Sequence, residues 1–543
     1  MKFTPPTCKQ LIINCLRFLT KPVTCQPAFF ILLYVLLNVL DIYALVAYYS
    51  YMPFYKMVSG LVCVYILSIP VILVSLRFRK VYKSVLLVSA ILFFVIDLQC
   101  LFMYRETLRT LPLDLIEAIM ATNAEEAQGF FENYVTIDRF IIITLSIILL
   151  LVVFYYLKRL RFKFINKSHL LIFVILSVSF VYSVSKFEQI TNGNIYYILT
   201  KKNVDLRDYK QNPDVQCSDV QPEQIVLILG ESFQRSHSSL CGYDKLTNPL
   251  LGQLQNDSSL LFYGNVTSVA TTTIPSVKSI MTGYIDEMCD SIEWFKCLTL
   301  LEVIQKAGYK TYWCSNQCKS GLWDNEVASF ANLCDAQYFL NAGKELAPIE
   351  ERRRGDYDEN LIAVVKDYKS LNSSEKAFYV VHMRGSHFLY NERYPENFSR
   401  FKPEDYLHSC PHLPADSRRI MSEYDNSVLY NDSVVYEIMN IFEEQNAIVF
   451  YLSDHGEDVF DSSDDFAGHT INGNEISERV GREIPLMMYS TPLFREKYPE
   501  LQQRIEGAVN RPYRTDSIMY TIMDIAGVET VNGVSYKHKS LFK

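Results

Sequence analysis

The stretch EQIVLILGESFQRSHSSLCGY, residues 223–243, begins with an apolar run and continues with polar, turn-forming residues. The run contains only Ile, Val and Leu between residues 225 and 229, which is typical of a strand buried on both faces of a parallel sheet. Gly230, Glu231 and Ser232 follow directly. Sites in such sheets lie at the carboxyl ends of strands, so this stretch predicts an α/β domain with a functional site beside Glu231 or Ser232.

The second half of the chain continues this arrangement. Four more strand-like runs are separated by amphipathic stretches: 309–315, 377–383, 447–454 and 484–490. A helical pattern at 426–444 is one of the stretches between them. The alternation predicts a central, largely parallel sheet covered by helices on both faces. We expect this α/β domain to occupy residues 221–543, after a linker at 191–220.

The first 190 residues differ in composition from the rest. Only 21% of the whole chain is charged and 49% is hydrophobic. Five apolar stretches are long enough to cross the roughly 30 Å of a bilayer's hydrocarbon layer. They lie at 27–49, 57–76, 84–104, 140–157 and 170–184. We therefore predict a five-helix transmembrane domain over residues 1–190. The net charge of -8 gives no electrostatic support to nucleic-acid binding.

The charged segments between these stretches predict an orientation. Basic residues cluster before the first span, at 77–83 and at 158–167, whereas the loop at 105–138 is rich in Asp and Glu. By the positive-inside rule, the N-terminus is cytoplasmic and the α/β domain is exported. The first apolar stretch lacks a small-residue cleavage site, so we expect an uncleaved anchor. In the outer loop, residues 119–131 have helical spacing, and they either form an interfacial helix or help to hold a polar lipid headgroup.

Eight cysteines lie beyond residue 210, an even number that permits up to four disulfides in an exported domain. Their short separations favour the pairs Cys289 with Cys297 and Cys314 with Cys318. Cys314 and Cys318 could instead bind a metal, but no second pair at zinc-finger spacing accompanies them.

Side chains that bind metals follow three of the predicted strands. They are Glu231 after the first strand, His382 and His387 after the third, Asp454 and His455 after the fourth, and His469 a little further along. Carboxylates and imidazoles that converge from separate strands suit Zn²⁺, with one coordination position open for a substrate. The sequence therefore predicts a zinc site, and the number of ions stays open.

Two stretches offer a hydroxyl nucleophile. Ser232 follows a strand and a turn, but GESFQ lacks the second glycine of the nucleophile elbow. In the other stretch, Thr271, Thr272 and Thr273 precede Pro275, which is placed to open a helix. A hydroxyl at a helix N-terminus beside a metal becomes a better nucleophile, because both stabilise the developing negative charge. The residues alone leave both stretches open.

Six motifs in a fixed order give the chain a family resemblance. They are LGES…GY…TNPLL at 229–251, TIPSVKSIMT at 273–282, SNQ…GLWD at 315–324, YDENLI at 357–362, HMRGSHFLYNERYP at 382–395 and LSDHGED at 452–458. With these motifs the chain resembles the phosphoethanolamine transferases of Gram-negative inner membranes, which include the lipid A enzymes responsible for polymyxin resistance. The resemblance implies five spans followed by a periplasmic domain of alkaline-phosphatase/sulfatase fold.

The resemblance also implies roles for single residues. The catalytic zinc would be held by a nucleophilic threonine together with Glu231, Asp454 and His455. Alignment on TIPSVKSIMT makes that threonine Thr273, and Thr271 or Thr272 would serve only if the loop is gapped.

Five further positions match substrate-binding residues of the family. His387 and His469 match histidines that bind the phosphoryl group or a second zinc. Lys319 matches a substrate lysine loosely, because its spacing to GLWD differs by about one residue. Thr122 and Glu126 match positions that contact the lipid headgroup, which moves the segment at 119–131 towards a functional role.

The chain departs from the family pattern in two places. Ala118 stands where some members have a polar residue, so part of the headgroup site differs. Val269 and Ser279 occupy the region of a disulfide that brackets the threonine in the lipid A enzymes. Together with SNQ…GLWD, the missing disulfide favours members that act on other acceptors.

The implied reaction moves phosphoethanolamine from phosphatidylethanolamine to the threonine, releasing diacylglycerol, and then to lipid A or the lipopolysaccharide core. We expect a monomer in the inner membrane. Rival interpretations on the same fold are a phosphoglycerol transferase, a phosphodiesterase or a sulfatase, although TTTIPSVKS lacks the sulfatase signature C/S-x-P-x-R. A different class, an inactive membrane sensor or binding protein, would lack a metal ligand, and none is missing here.

Overall fold

The computed structural model describes residues 7–38, 51–73, 76–103, 137–160, 162–185, 205–219, 221–285, 288, 292–317, 325–340, 357–371, 375–464, 467–469 and 475–543. The chain forms two compact units. One comprises residues 1–113 and 130–201, and the other comprises residues 114–129 and 202–543. The sequence-based boundaries at 190 and 220 stay a prediction.

The first unit is helical in its described part. Its helices are α1 (Cys8–Leu19), α2 (Lys21–Thr24), α3 (Pro27–Leu36), α4 (Tyr51–Leu73), α5 (Leu76–Met103), α6 (Ile137–Arg159) and α7 (Asn166–Ser185). They pack around a small apolar core that includes Phe29, Leu33, Val64, Phe94 and Ile143.

Two helices among the described residues are long and apolar enough to cross a membrane, at Phe140–Arg159 and Asn166–Val184. Shorter apolar helices lie at Pro27–Leu36 and Met57–Leu73. The other three predicted spans each extend beyond the described residues, so the five-span topology remains a prediction. The predicted interfacial helix lies wholly outside the described residues.

The second unit is built on an eight-stranded sheet. In chain order the strands of this unit are β1 (Val215–Cys217), β2 (Gln224–Gly230), β3 (Leu260–Thr267), β4 (Lys310–Ser315), β5 (Ala336–Phe339), β6 (Ala377–His382), β7 (Ala447–Ser453), β8 (Asp458–Val459), β9 (Ala467–Gly468), β10 (Glu483–Ser490), β11 (Tyr513–Arg514) and β12 (Val528–Val531). The large sheet has the order β11-β3-β10-β7-β2-β6-β4-β5. Only β10 runs antiparallel to its neighbours, β3 and β7. The predicted largely parallel sheet is therefore confirmed.

Helices cover this sheet. They are α8 (Pro249–Asn256), α9 (Thr273–Thr282), α10 (Leu300–Lys306), α11 (Asn325–Ala331), α12 (Asn360–Leu371), α13 (Ala415–Ile441), α14 (Glu475–Arg482), α15 (Pro492–Lys497), α16 (Pro499–Glu506) and α17 (Ile518–Ile525). The quoted apolar runs do not include β3, whose residues are partly buried and partly accessible.

The central strand β2 is buried on both faces. Leu227 and Leu229 belong to one apolar core, and Val226 and Ile228 belong to the other. Successive side chains of a strand point to opposite faces, so a strand between two layers of helices needs an uninterrupted apolar run. This is the physical reason for the run at 225–229.

The carboxyl ends of the central strands lie in register. Gly230 at the end of β2 pairs with Ser453 at the end of β7, and Leu229 pairs with His382 at the end of β6. His382 in turn pairs with Ser315 at the end of β4. Side chains that follow these four strands therefore meet at one edge of the sheet.

The cysteines show no disulfide within the described part of the chain. Each of the two favoured pairs has one member, Cys289 or Cys318, outside the described residues. Neither pairing is therefore described.

Candidate active site

Glu231 lies at the centre of the edge where the strands end, and its side chain is buried. Ser232 has a φ of 57°, in the left-handed region, so the chain turns sharply after β2. The Ser232 hydroxyl donates to Glu231 Oε1 at 3.1 Å, and its backbone N–H donates to Asp454 Oδ1 at 3.3 Å. The Ser232 carbonyl accepts a bond from the Tyr424 hydroxyl at 2.7 Å. The hydroxyl and the backbone N–H of Ser232 therefore hold the carboxylates of Glu231 and Asp454 in place.

Thr273 is the first residue of α9, and its hydroxyl points at Glu231. The distances from Thr273 Oγ1 to the two carboxylate oxygens of Glu231 are 3.2 and 3.3 Å, and the distance to His455 Nε2 is 3.4 Å. Thr272 is the N-cap in an extended conformation, without a side-chain capping bond. The first turn of a helix leaves backbone N–H groups unpaired, and these favour negative charge beside Thr273.

Asp454 and His455 follow β7 and face Glu231. His455 Nδ1 lies 2.8 Å from the Gly456 carbonyl oxygen, an acceptor, which assigns a proton to Nδ1 and directs Nε2 towards Glu231 Oε1 at 3.1 Å. Asp454 Oδ1 accepts the backbone N–H of His455 at 2.7 Å. Asp454 Oδ2 lies 3.5 Å from His455 Nε2 and, within the described part of the chain, is buried without a hydrogen-bond partner.

His469 and His387 border this group. His469 Nδ1 bonds to Glu457 Oε2 at 2.6 Å, and the ring centroids of His469 and His455 are 4.6 Å apart. The ring of His387 lies 5.4 Å from that of His469, centroid to centroid. Burial lowers the pKa of His387 to about 3, so this imidazole is neutral at neutral pH. The two histidines line one side of the site.

Two residues at the site were not singled out from the sequence. Gln317 donates from Nε2 to Glu231 Oε2 at 3.4 Å and to the Met383 carbonyl at 3.0 Å. Glu457 accepts bonds from His469 and from the Tyr390 hydroxyl, the latter at 2.6 Å. Both belong to quoted motifs, SNQ and DHGED, and their places directly after β4 and β7 are the signal that could have indicated them.

His382, another candidate from the sequence, does not belong to this group. His382 is buried at the end of β6, where Nδ1 lies 3.4 Å from Ser315 Oγ and the ring packs edge-on against Trp313. Burial lowers the pKa of His382 to about 4. Lys319, Thr122 and Glu126 lie outside the described residues.

The electrostatics of the group favour a cation. Burial and the charge of Glu231 raise the pKa of Asp454 to about 7. Burial by itself lowers the pKa of His455, but Asp454 and Glu231 outweigh it and raise the value to about 10. Burial by itself raises the pKa of Glu231, but the hydrogen bond and charge of His455 keep it below the usual range. The carboxylates of Glu231 and Asp454 are thus buried close together, and a cation bound between them would be stabilised.

The residues present fit a zinc ion. The donor set combines carboxylate oxygens, an imidazole Nε2 whose ring is oriented through Nδ1, and a hydroxyl, which are ligands that Zn²⁺ accepts. Ligand atoms of Glu231, His455 and His469 all lie within 4.8 Å of one another. The unpartnered Asp454 Oδ2 is a further oxygen that could bind the ion. Unpaired buried oxygens are rare unless an ion or water completes them.

The fold and this site belong to a known class of protein. Residues 223–528 match the sulfatase family, and the chain belongs to that family. More particular similarity is to phosphoethanolamine transferases. EptC of Escherichia coli is 29% identical over 313 residues, which cover 57% of this chain and 51% of that protein. EptA of Helicobacter pylori is 28% identical over 322 residues, which cover 58% and 57%. This chain therefore spans about half the length of the curated relatives it matches.

Solved structures agree with this placement. The C-terminal periplasmic domain of EptC from Escherichia coli, in complex with Zn, has a TM-score of 0.53 and 28% identity, and the match covers 61% of this chain and 89% of that one. The integral membrane protein EptA from Neisseria meningitidis has a TM-score of 0.60 at 19% identity, covering 98% and 97%. The predicted fold class, a helical membrane part followed by a sulfatase-like α/β domain, is confirmed, as is the family resemblance.

Proposed function

We propose that this protein is a zinc-dependent phosphoethanolamine transferase of the bacterial inner membrane. It takes phosphoethanolamine from phosphatidylethanolamine and transfers it to lipid A or to the lipopolysaccharide core. The observation that carries this proposal is the position of the Thr273 hydroxyl, within 3.4 Å of both Glu231 and His455 at the start of a helix. The similarity to named phosphoethanolamine transferases selects the transferred group.

In the first step Thr273 acts as the nucleophile. Its Oγ forms a bond to the phosphorus of phosphatidylethanolamine as the bond from phosphorus to the glycerol oxygen breaks. The Thr273 proton passes to water, because Glu231, which accepts the hydrogen bond of this hydroxyl, has a pKa below the usual range and is one of the proposed zinc ligands. Diacylglycerol leaves after it takes up a proton, and phosphoethanolamine remains on Thr273.

Zinc held by Glu231, Thr273, Asp454 and His455 would lower the pKa of the Thr273 hydroxyl and screen the charge on the phosphoryl oxygens. The N-terminus of α9 adds unpaired N–H groups on the same side. His387 and His469 lie at the border of the site, where their ring nitrogens can bind phosphoryl oxygens or a second zinc. Because Glu457 engages His469 Nδ1, the Nε2 atom is the one left for substrate.

In the second step an acceptor oxygen attacks the phosphorus and Thr273 leaves as the hydroxyl. Both substrates are lipids, which explains the apolar first 190 residues. We propose a cytoplasmic N-terminus, five spans, a linker at 191–220 and a periplasmic catalytic domain at 221–543, acting as a monomer. Thr122 and Glu126 would contact the lipid headgroup, and Lys319 would contact the substrate.

The central test replaces the nucleophile. We expect Thr273→Ala in the full-length protein, reconstituted in lipid vesicles, to abolish conversion of labelled phosphatidylethanolamine to diacylglycerol, because no oxygen remains to attack phosphorus. Thr271→Ala and Thr272→Ala are the matched controls and should retain turnover. A chelator should abolish wild-type turnover and added Zn²⁺ should restore it. Full activity of Thr273→Ala would overturn the assignment.

The acceptor is tested in cells. Mass spectrometry of lipid A and of core oligosaccharide, from cells with and without the protein, should show one fraction heavier by a phosphoethanolamine unit. If neither fraction differs, the acceptor is wrong, while the vesicle assay still reports on the donor half of the reaction.

A further inference from the structure

Asp358 is a buried carboxylate just before α12, and its side chain is only 3% exposed. It accepts three hydrogen bonds of 2.9 Å each. Its Oδ1 accepts from the Asn316 side-chain amide and from the backbone N–H of Arg384, and its Oδ2 accepts from the backbone N–H of Gly385. Both oxygens are therefore used within the protein, and Asp358 does not belong to the metal-ligand set.

The donors come from two different strands. Asn316 directly follows β4, whereas Arg384 and Gly385 follow β6. The Asp358 carboxylate therefore ties the ends of these strands together. The neighbours of the tied residues reach the site: Gln317 contacts Glu231 Oε2, and His387 lies beside His469.

The turn held by Asp358 packs directly on Glu231. The Ser386 backbone N–H donates to the Glu231 carbonyl at 2.9 Å. Gly385 has a φ of 56°, and a Cβ there would lie 2.6 Å from the Glu231 nitrogen and 2.7 Å from its oxygen. Since backbone atoms cannot give way by that amount, the position of this turn and the position of Glu231 are coupled.

We propose that Asp358 is a positioning residue that sets the geometry of the metal site through the turn at Arg384 and Gly385, and that it orients Gln317 and His387 in the same way. The expected effect of Asp358 on turnover rests on the proposed function. Its expected effect on Zn²⁺ binding does not.

The physical basis is donor and acceptor matching. A carboxylate only accepts, and all three partners of Asp358 donate. In Asp358→Asn one oxygen becomes an NH₂ group, which faces at least one N–H donor in either orientation of the amide. The turn must then shift or leave a buried donor unpaired, which is costly. Because Gly385 touches the Glu231 backbone, the shift reaches a proposed metal ligand.

Asp432 provides a matched control. It is also buried, with 1% exposure, and it accepts the backbone N–H groups of Leu250 and Leu251 at 2.8 and 3.0 Å. These residues start α8, and neither belongs to the site. Asp432→Asn thus imposes the same chemical change at a comparable depth.

The experiment uses the full-length protein and three measurements: thermal midpoint, Zn²⁺ affinity by competition with a chelator, and turnover of phosphatidylethanolamine. We expect Asp358→Asn to weaken Zn²⁺ binding by about 10-fold or more, the usual effect of losing a partner behind the metal ligands, and to lower kcat more than it raises KM. Asp432→Asn should lower the thermal midpoint but leave Zn²⁺ affinity and kcat unchanged.

If Asp358→Asn does not fold, Asn316→Ala tests the same link, because it removes one of the three donors without creating a clash. It should weaken Zn²⁺ binding in the same direction but less. Wild-type Zn²⁺ affinity in both variants, or equal losses in Asp358→Asn and Asp432→Asn, would overturn the positioning role. Absence of turnover in the wild-type protein would instead count against the proposed function, since the Zn²⁺ measurement is independent of it.

Discussion

The two oxygens of Asp454 have different surroundings. Oδ1 is held by backbone N–H groups of Ser232 and His455, whereas Oδ2 is buried and has no hydrogen-bond partner within the described residues. Glu231 adds a second carboxylate nearby. At the scale of single residues, the site therefore costs the metal-free protein stability, because two buried carboxylates share a single imidazolium, that of His455, and one negative charge stays uncompensated.

This cost predicts that one substitution will raise the thermal midpoint of the metal-free protein and lower its Zn²⁺ affinity. Asp454→Asn removes one of the facing charges, so the thermal midpoint of the metal-free protein should rise, while Zn²⁺ affinity should fall by about 10-fold or more because a proposed ligand is lost. Calorimetry in chelator and Zn²⁺ titration measure the two effects.

Asp458→Asn is the control for that change. Asp458 is equally buried, but its carboxylate accepts bonds from Asp461 and Ser462. Its loss should lower the thermal midpoint. A lower midpoint for Asp454→Asn as well would contradict the account of Asp454 as a metal ligand held at a cost.

At the scale of elements, a buried histidine joins the segment after β2 to the long helix α13. His237 Nδ1 lies 2.6 Å from Asp425 Oδ1, and His237 Nε2 lies 3.3 Å from Asp461 Oδ2. The Tyr243 hydroxyl donates to Asp425 Oδ2 at 2.7 Å. Since this segment begins at Ser232, the cluster anchors the far end of the turn that carries Glu231.

The cluster predicts a pH dependence of stability. Burial by itself lowers the pKa of His237, but the charges of Asp425 and Asp461 outweigh it and raise the value from 6.5 to about 10. The folded state thus holds a proton that the unfolded state releases. The stabilisation is complete below the unfolded pKa and is lost as the pH rises through the folded pKa.

We expect the thermal midpoint of the metal-free protein to fall between pH 6.5 and about 10, and His237→Gln to reduce that slope but not abolish it, since the pKa of His455 is raised to about 10 as well. His538 is exposed, and His538→Gln should keep the slope. An unchanged slope in His237→Gln would assign the pH dependence to other groups.

At the scale of the whole molecule, the two units have separate cores. The two large apolar clusters of the second unit lie entirely between residues 206 and 542, and the helical unit has its own cluster. A compact unit with a complete core can fold by itself. We therefore expect the proposed catalytic residues to keep their geometry when the helical unit is removed.

A fragment of residues 202–543 should fold cooperatively, bind Zn²⁺ as the full chain does and cleave a soluble phosphodiester. It should lose turnover of phosphatidylethanolamine in vesicles, because nothing then holds it at the lipid surface. The full chain in the same vesicles is the control. Equal vesicle turnover by the fragment would show that the helical unit is not needed to reach the lipid.

The sequence by itself determined the architecture. An uninterrupted apolar run such as 225–229 fits only where both faces are covered, and the polar residues after each run mark the carboxyl ends of strands. Long apolar stretches likewise predicted the membrane part. These features are local, because each depends on residues adjacent in the chain, and patterns of adjacent residues can be read directly.

Only the tertiary structure decided which of these residues meet. Thr273 lies 42 residues after Glu231. Which threonine of the run 271–273 contacts Glu231 depends on how α9 packs at the sheet edge. The antiparallel β10 and the roles of Gln317, Glu457 and Asp358 follow from pairings between distant segments. Such contacts leave no periodic pattern in the sequence, because they join distant segments. The free energy that selects them comes from packing and hydrogen bonds that form only as the chain folds.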